Sequence, residues 1–206
     1  MSESSRLDRS FFERSTLQVA RDLLGVRLVR LHDGLRLSGI IVETEAYRGQ
    51  EDQGCHARAG LTGRTRVMFD QPGHAYVYFT YGMHWMLNFV TEVTGFPAAV
   101  LIRALQPTEG LDLIAARRNG QPPARWTDGP AKICQALDID GGLNGSDLCA
   151  EGAALFVEEG IRIPDLAVTT GPRVGLNSVP EPWKSIPWRF LVKPDFFTTV
   201  CNEQET

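Results

Sequence analysis

Two hairpin signatures constrain this chain more than any other feature. Val26 to Leu31 and Leu35 to Glu45 are strand-length runs rich in branched apolar residues, separated by the turn signal His32-Asp33-Gly34. Ala75 to Thr80 and His84 to Thr91 repeat the pattern, with Tyr81-Gly82-Met83 at the tip. Two such hairpins commit the chain to antiparallel pairing. Ala98 to Leu105 reads as a further, buried strand, and Ala154 to Val157, Ala167 to Thr170 and Arg189 to Val192 as short ones. Helices stand apart from the strands. Thr16 caps one, with Leu17, Ala20 and Leu24 on one face and Gly25 as a stop. Thr108 is expected to cap a second, Glu109 to Arg118, whose acidic start and basic end suit the helix dipole. Gly129-Pro130 opens a third, to about Leu137, with proline at the favoured first position. Residues 48 to 66 are polar and glycine-rich, hence loop. The expected fold is α+β: a single domain over 1–206, with a curved antiparallel β-sheet core, surrounding helices, a protruding β-hairpin, and flexible tails at 1–8 and 202–206.

Several classes are disfavoured. No apolar run approaches the roughly 20 residues of a membrane span. Met1-Ser2-Glu3-Ser4-Ser5-Arg6 lacks the apolar core of a secretory signal. Cys55, Cys134, Cys149 and Cys201 are scattered without a C-x-x-C pair, which fits reduced thiols in a cytoplasmic protein better than disulfides or zinc. The net charge of −4 counts against nucleic acid at first sight, because phosphates need cations. The distribution softens this: only Lys132, Lys184 and Lys193 among the 21 basic residues are lysine, and the remainder are arginine, which forks onto phosphate. Arg58, Arg64 and Arg66 sit together, although charge alone favours a solvated loop there.

The chemistry-bearing residues cluster between 39 and 103. All four tyrosines, Tyr47, Tyr76, Tyr78 and Tyr81, lie there with Glu43 and Glu45. In a regular strand Glu43 and Glu45 share one face, and Ile40, Val42 and Thr44 turn the other way into a core. Two carboxylates on one face can do acid–base work, but spacing alone favours a solvent-facing strand edge. Tyr76 reads as core. Tyr78 and Tyr81 are open between packing and a partner, with Tyr81 where the strand yields to the turn. His56 lies in loop without a second ligand at i+3 or i+4, so no metal role is expected. Asn88 is a polar residue amid Trp85, Met86, Leu87, Phe89 and Val90 and must find a partner. Arg103 follows Val100-Leu101-Ile102 and wants a carboxylate, with Glu45 a candidate. Aromatics with carboxylates nearby can stack a flat ring and act on it, and a nucleobase is such a ring.

The runs Ile41-Val42-Glu43-Thr44-Glu45-Ala46-Tyr47, Met68-Phe69-x-x-Pro72-Gly73, Tyr76-Val77-Tyr78, Tyr81-Gly82-Met83 and Leu101-Ile102-Arg103-Ala104-Leu105 closely resemble the alkyladenine (3-methyladenine, methylpurine) DNA glycosylase family. Gly129 to Leu137, Arg173-Val174-Gly175, Trp183 and Arg189-Phe190 continue the resemblance over nearly the whole chain. It implies a monofunctional, base-flipping glycosylase that removes alkylated or deaminated purines from double-stranded DNA, leaving an abasic site for base excision repair. By position, Glu45 is the general base for the attacking water, and Arg103 with the main-chain carbonyl of Val174 helps hold that water. The flipped base lies between Tyr47 and the pair His56 and Tyr78, Asn88 crowds the 2-amino group of guanine, and Tyr81 intercalates into the gap left in the DNA. Glu43 receives no catalytic role. No cofactor or metal is implied, and the expected protein is a monomer, cytoplasmic and nucleoid-associated if bacterial. Asp70-Gln71, where a basic residue can precede Pro72-Gly73, and the acidic net charge depart from the family pattern.

Three other readings compete. A stacking platform could bind nucleic acid without cutting, but it has no need of Glu45. A glycoside hydrolase could use Glu43 and Glu45, but acids at i and i+2 point the same way and flank a scissile bond poorly. A nucleosidase for free nucleosides needs no wedge at the hairpin tip.

Overall fold

The computed structural model describes residues 5–197. Eight antiparallel strands form one open sheet, with the helices packed about it. The strands are β1 (Arg27–His32), β2 (Leu35–Arg48), β3 (Ala75–Thr80), β4 (His84–Val90), β5 (Ala98–Glu109), β6 (Leu155–Glu158), β7 (Val168–Gly171) and β8 (Arg189–Val192). The order along the sheet is β3-β4-β5-β2-β1-β6, and β8 joins β2 and β7. The helices are α1 (Arg9–Phe12), α2 (Thr16–Asp22), α3 (Leu111–Arg117) and α4 (Pro130–Leu137).

Strand β2 is the spine. One edge pairs with β5 from Ser38 to Arg48, while β1 takes residues 35–40 and β8 takes Glu43, Thr44 and Glu45. Flanked on both edges, the strand is buried almost throughout, so Glu43 and Glu45 lie inside the molecule and not on the solvent-facing edge that spacing favours. The alternation also slips. Val42 on β2 and Arg103 on β5 each fall at a break in the register, between Ile41/Glu43 and Glu43/Thr44. Bulges of this kind bend a strand and re-aim its side chains. Leu37, Ile41 and Ala46 enter the main core, Val42 packs half-buried against it as alternation expects, and Ile40 is buried but outside that cluster. Thr44 does point to the core side, its hydroxyl donating to the Ala20 carbonyl of α2 at 2.7 Å.

Other boundaries move for identifiable reasons. Ser15, not Thr16, caps α2, its hydroxyl accepting from the Gln18 N–H at 3.4 Å. The helix expected from Glu109 begins at Leu111 instead, behind Gly110 at φ +72°, because β5 runs on to Glu109. There Glu109 is held by the Arg36 guanidinium at 2.9 Å and by the Ser38 hydroxyl, cross-strand partners that outweigh the helix dipole. Within the loop expected at 48–66 sits a 3₁₀ turn, His56–Ala59, and another, Arg66–Phe69, follows. Of the tails, residues 1–4 and 202–206 lie outside the described residues, whereas Leu7 donates to the Val157 carbonyl at 3.0 Å and Arg6 bridges to Glu158.

The hairpin β3–β4 projects. Strand β4 meets β5 only through Asn88, Phe89 and Val90, whereas β3–β4 pairing continues out to Thr80 and His84. Among the described residues the distal half has no further strand beside it. Trp85 braces it, packed on Phe79 at 4.7 Å between ring centroids and against Gly141, where a Cβ would stand 2.7 Å from the indole. No helix among the described residues is long and apolar enough to cross a membrane.

Candidate active site

A second, smaller apolar cluster lies beside the main core: Cys55, Ala57, Met68, Tyr76, Val90 and Ala99, with Tyr47 and Tyr78 packed against it. It forms the floor of a cavity of about 400 Å³. Tyr47, His56, Tyr78, Asn88, Arg103 and Val174 line this cavity together with Tyr81 from the hairpin. Seven residues spread over 128 positions of sequence thus converge on one space. That size accommodates a small flat ligand.

Glu45 is fully buried behind this wall. Its Oε1 accepts the Val174 N–H at 2.6 Å and lies 3.4 Å from Nε of Arg103. Its Oε2 accepts the Tyr47 hydroxyl at 2.7 Å. Burial raises the Glu45 pKa, opposed by the Arg103 charge, the Val174 amide and the Tyr47 hydroxyl, with Glu43 adding a further push upward. A carboxylate whose pKa burial raises is a stronger base than an exposed one. Burial, then the charge of Glu45, push the Tyr47 phenol well up, so it stays a hydrogen-bond donor.

Arg103 sits at the bulge of β5 and reaches two acids. Its Nε donates to Glu43 at 3.0 Å, closer than to Glu45, and Glu43 also accepts from Arg189 at 3.2 Å. Glu43 thereby anchors the arginine that faces Glu45. The Val174 backbone touches Glu45 through its N–H.

The opposite wall is aromatic. His56 and Tyr78 meet edge to face with centroids 4.6 Å apart, and Tyr76 lies beside both. Tyr76 is buried, as its core reading expects, yet its hydroxyl is 3.0 Å from Nδ1 of His56 and fixes that ring. Burial, with the nearby charges of Arg64 and Arg58, lowers the His56 pKa to about 4, so the imidazole is neutral at physiological pH. Arg64 is exposed and lies over the Tyr78 ring at 5.0 Å. Burial pushes the Tyr78 phenol upward. Asn88 is buried and donates from Nδ2 to the Tyr76 carbonyl at 3.1 Å, which orients its amide at the cavity edge.

At the tip, Tyr81 is 81% exposed and Met83 68%. Met83 N–H donates to Thr80 O at 3.2 Å, closing a turn whose two central residues, Tyr81 and Gly82, both have positive φ, +52° and +68°. Glycine adopts this freely, and tyrosine does not.

Residue reasoning missed Asp52 and Arg173. Arg173 belongs to a motif run, but nothing local signals that its partner stands 121 positions earlier. Cys55 also lines the cavity, its thiol pushed up to about 12 by burial.

A buried, hydrogen-bonded carboxylate beside an arginine, directly behind the wall of an aromatic-lined cavity, is an arrangement suited to hydrolysis at a planar ring. Comparison with known proteins makes this specific. The sequence profile of the family described as methylpurine-DNA glycosylase (MPG) matches residues 10–195. A protein of Methanocella arvoryzae, named "Putative 3-methyladenine DNA glycosylase", is 49% identical over 191 residues, covering 91% of this chain and 92% of its own. Proteins of the same name from Carboxydothermus hydrogenoformans, 49% identical over 189 residues, and Desulfitobacterium hafniense, 44% over 204, cover 91% and 95% of this chain and 95% and 98% of their own. The chain belongs to the methylpurine-DNA glycosylase family. It is a DNA glycosylase, a hydrolase acting on the N-glycosyl bond of alkylated bases.

Proposed function

We propose that the enzyme is monofunctional: it flips alkylated or deaminated purines, 3-methyladenine among them, out of duplex DNA and hydrolyses the N-glycosyl bond, leaving an abasic site. The observation that carries this reading is the Glu45 carboxylate, held by Val174 N–H and Tyr47 directly behind the wall that Tyr47, Arg103 and Val174 form. A carboxylate offers about four lone-pair directions. The Val174 amide, Arg103 and the Tyr47 hydroxyl engage three, so one on Oε2 remains for a water. Glu45 takes a proton from that water as its oxygen bonds to C1′. The C1′–N9 bond breaks, and its electron pair leaves with the purine. For a base methylated at N3 or N7 that pair neutralises the ring charge, so no acid is needed. Arg103 and the Val174 carbonyl orient the water. The extruded base lies between Tyr47 and the pair His56 and Tyr78, where cation–π attraction contributes about 0.5–2 kcal/mol for a charged ring. Tyr81 fills the vacated stack, and Asn88 rejects guanine. Flipping costs a few kcal/mol, least at damaged pairs. The working form is a monomer in the cytoplasm, associated with the nucleoid if bacterial.

Duplex oligonucleotides with one defined lesion test this. Glu45→Gln removes the base at nearly constant shape, so base release is expected to fall by orders of magnitude while duplex binding survives. Release by the Gln variant near the parent rate overturns the mechanism. So does borohydride trapping of a protein–DNA adduct, since water and not lysine is the nucleophile.

A further inference from the structure

Behind the Tyr47 ring lies an ion pair that the hydrolysis does not use. The side chains of Arg173 and Asp52 are both fully buried, and they meet through two bonds, Nη1–Oδ2 at 2.5 Å and Nη2–Oδ1 at 2.7 Å. The same guanidinium donates to the Ala46 carbonyl at 3.0 Å and to the Trp183 carbonyl at 3.3 Å. Its Cζ stands 4.6 Å from the centroid of the Tyr47 ring and 5.2 Å from that of Trp188. Tyr47 lines the cavity and Arg173 does not. The order through the wall is therefore Trp188, Arg173, Tyr47, cavity.

A buried ion pair is a poor source of stability, and an apolar side chain would back an aromatic ring at least as well. The charge itself needs a reason. A cation resting on one face of a ring draws on the same π-electron density that a cationic ligand would use on the other face. Left uncompensated, Arg173 would also repel such a ligand directly. We propose that the Asp52–Arg173 pair sets the charge preference of the base pocket: Arg173 fixes the Tyr47 ring from behind, and Asp52 cancels its charge so that the cavity face stays attractive to a positively charged alkylated purine. Both are positioning residues, acting through Tyr47. This rests on the glycosylase reading, because it concerns which bases the pocket selects.

The effect is large enough to measure. A base in van der Waals contact with Tyr47, about 3.5 Å beyond the ring, places its charge about 8 Å from the guanidinium. With an effective dielectric of about 20, a bare arginine there disfavours a cationic over a neutral base by roughly ten- to thirty-fold. The two single variants must then act with opposite signs. In Asp52→Asn the unneutralised arginine lowers the cation-to-neutral ratio. In Arg173→Gln the remaining carboxylate raises it. The double variant, neutral at both positions, returns close to the parent.

Parent and variants are titrated by NMR with 3,9-dimethyladeninium, a fixed cation, and with 9-methyladenine, its neutral counterpart. Single-turnover release of 7-methylguanine and of ethenoadenine from duplex DNA is measured in parallel. The expected result is a fall of about ten-fold in the affinity ratio for Asp52→Asn, a rise for Arg173→Gln, and a double variant near the parent value. Equal ratios in all four proteins, or shifts of the same sign in both single variants, overturn the proposal and leave the pair as a brace. Should Asp52→Asn not melt as a folded protein, Arg173→Gln decides: a ratio at or below the parent's overturns the proposal. Failure of the parent to release either base from DNA counts against the glycosylase reading, while the probe ratios still decide the role of the pair.

Discussion

Replacing Tyr47 by phenylalanine separates the two duties of this residue. The ring, and with it the stacking wall, remains. The hydroxyl that donates to Glu45 Oε2 at 2.7 Å is lost. A hydrogen bond to a charged group contributes about 1.5–3 kcal/mol, and one pH unit corresponds to about 1.36 kcal/mol. The donor favours the ionised carboxylate, so its removal raises the Glu45 pKa further, on top of the rise that burial already imposes. The acid limb of kcat/KM is therefore expected to move up by about one to two pH units. Below that limb the variant is slower by up to about ten-fold per unit of displacement. Above it the profiles converge, because both carboxylates are then ionised and the reacting water keeps its site on Oε2. Single-turnover release of a permanently cationic lesion between about pH 5 and 9 reads this out without a requirement for a general acid. Superimposed profiles, or a limb displaced toward acid, would refute the hydroxyl's role. A uniform loss at every pH would show that Tyr47 acts through placement of the base instead.

Two further outcomes follow from the same geometry. Asn88→Ser shortens the side chain that the Tyr76 carbonyl orients, so guanine release relative to a preferred lesion is expected to rise by roughly five- to a hundred-fold, the equivalent of about 1–3 kcal/mol; an unchanged ratio returns Asn88 to a purely structural role. Tyr81→Ala removes a ring without core contacts to lose, so folding should be unaffected while capture of the extruded state weakens by about 1–3 kcal/mol, read by a fluorescent base analogue at the lesion; equal signals from both proteins exclude the wedge.

Local chemistry explains why some of this was legible and some was not. Pro130 opens α4 and Arg189 to Val192 forms β8 as expected, because proline placement and short apolar runs are local signals. The hairpins follow from turn residues and alternation. The bulge at Val42 and Arg103 leaves no local mark, since it is defined by register between strands about 60 positions apart. The same holds for the extension of β5 to Glu109, which depends on Arg36 and Ser38 across the sheet. Burial of Glu43 and Glu45 depends on β8, which arrives some 145 positions later to cover the second edge of β2. The cavity-lining positions of Tyr47, His56, Tyr78, Asn88 and Arg103 are marked by the resemblance; residue chemistry alone places His56 in loop and Arg103 beside a carboxylate, but leaves Tyr78 and Asn88 open between packing and a partner.

The conformation at the hairpin tip sets stability against the proposed capture. Tyr81 holds φ +52° with a side chain that is 81% exposed, so little packing rewards the strain. An L-residue in the left-handed region costs roughly 1–2 kcal/mol relative to glycine, of which the greater chain entropy of glycine returns about half. A sequence selected for thermal stability alone would therefore drift toward glycine, asparagine or aspartate at position 81. Such a chain would melt slightly later and find no grip on the base stack. The tyrosine sits at a positive φ, so under the proposed wedge role a stability-guided redesign at position 81 would weaken capture of the extruded base while the fold itself gained slightly.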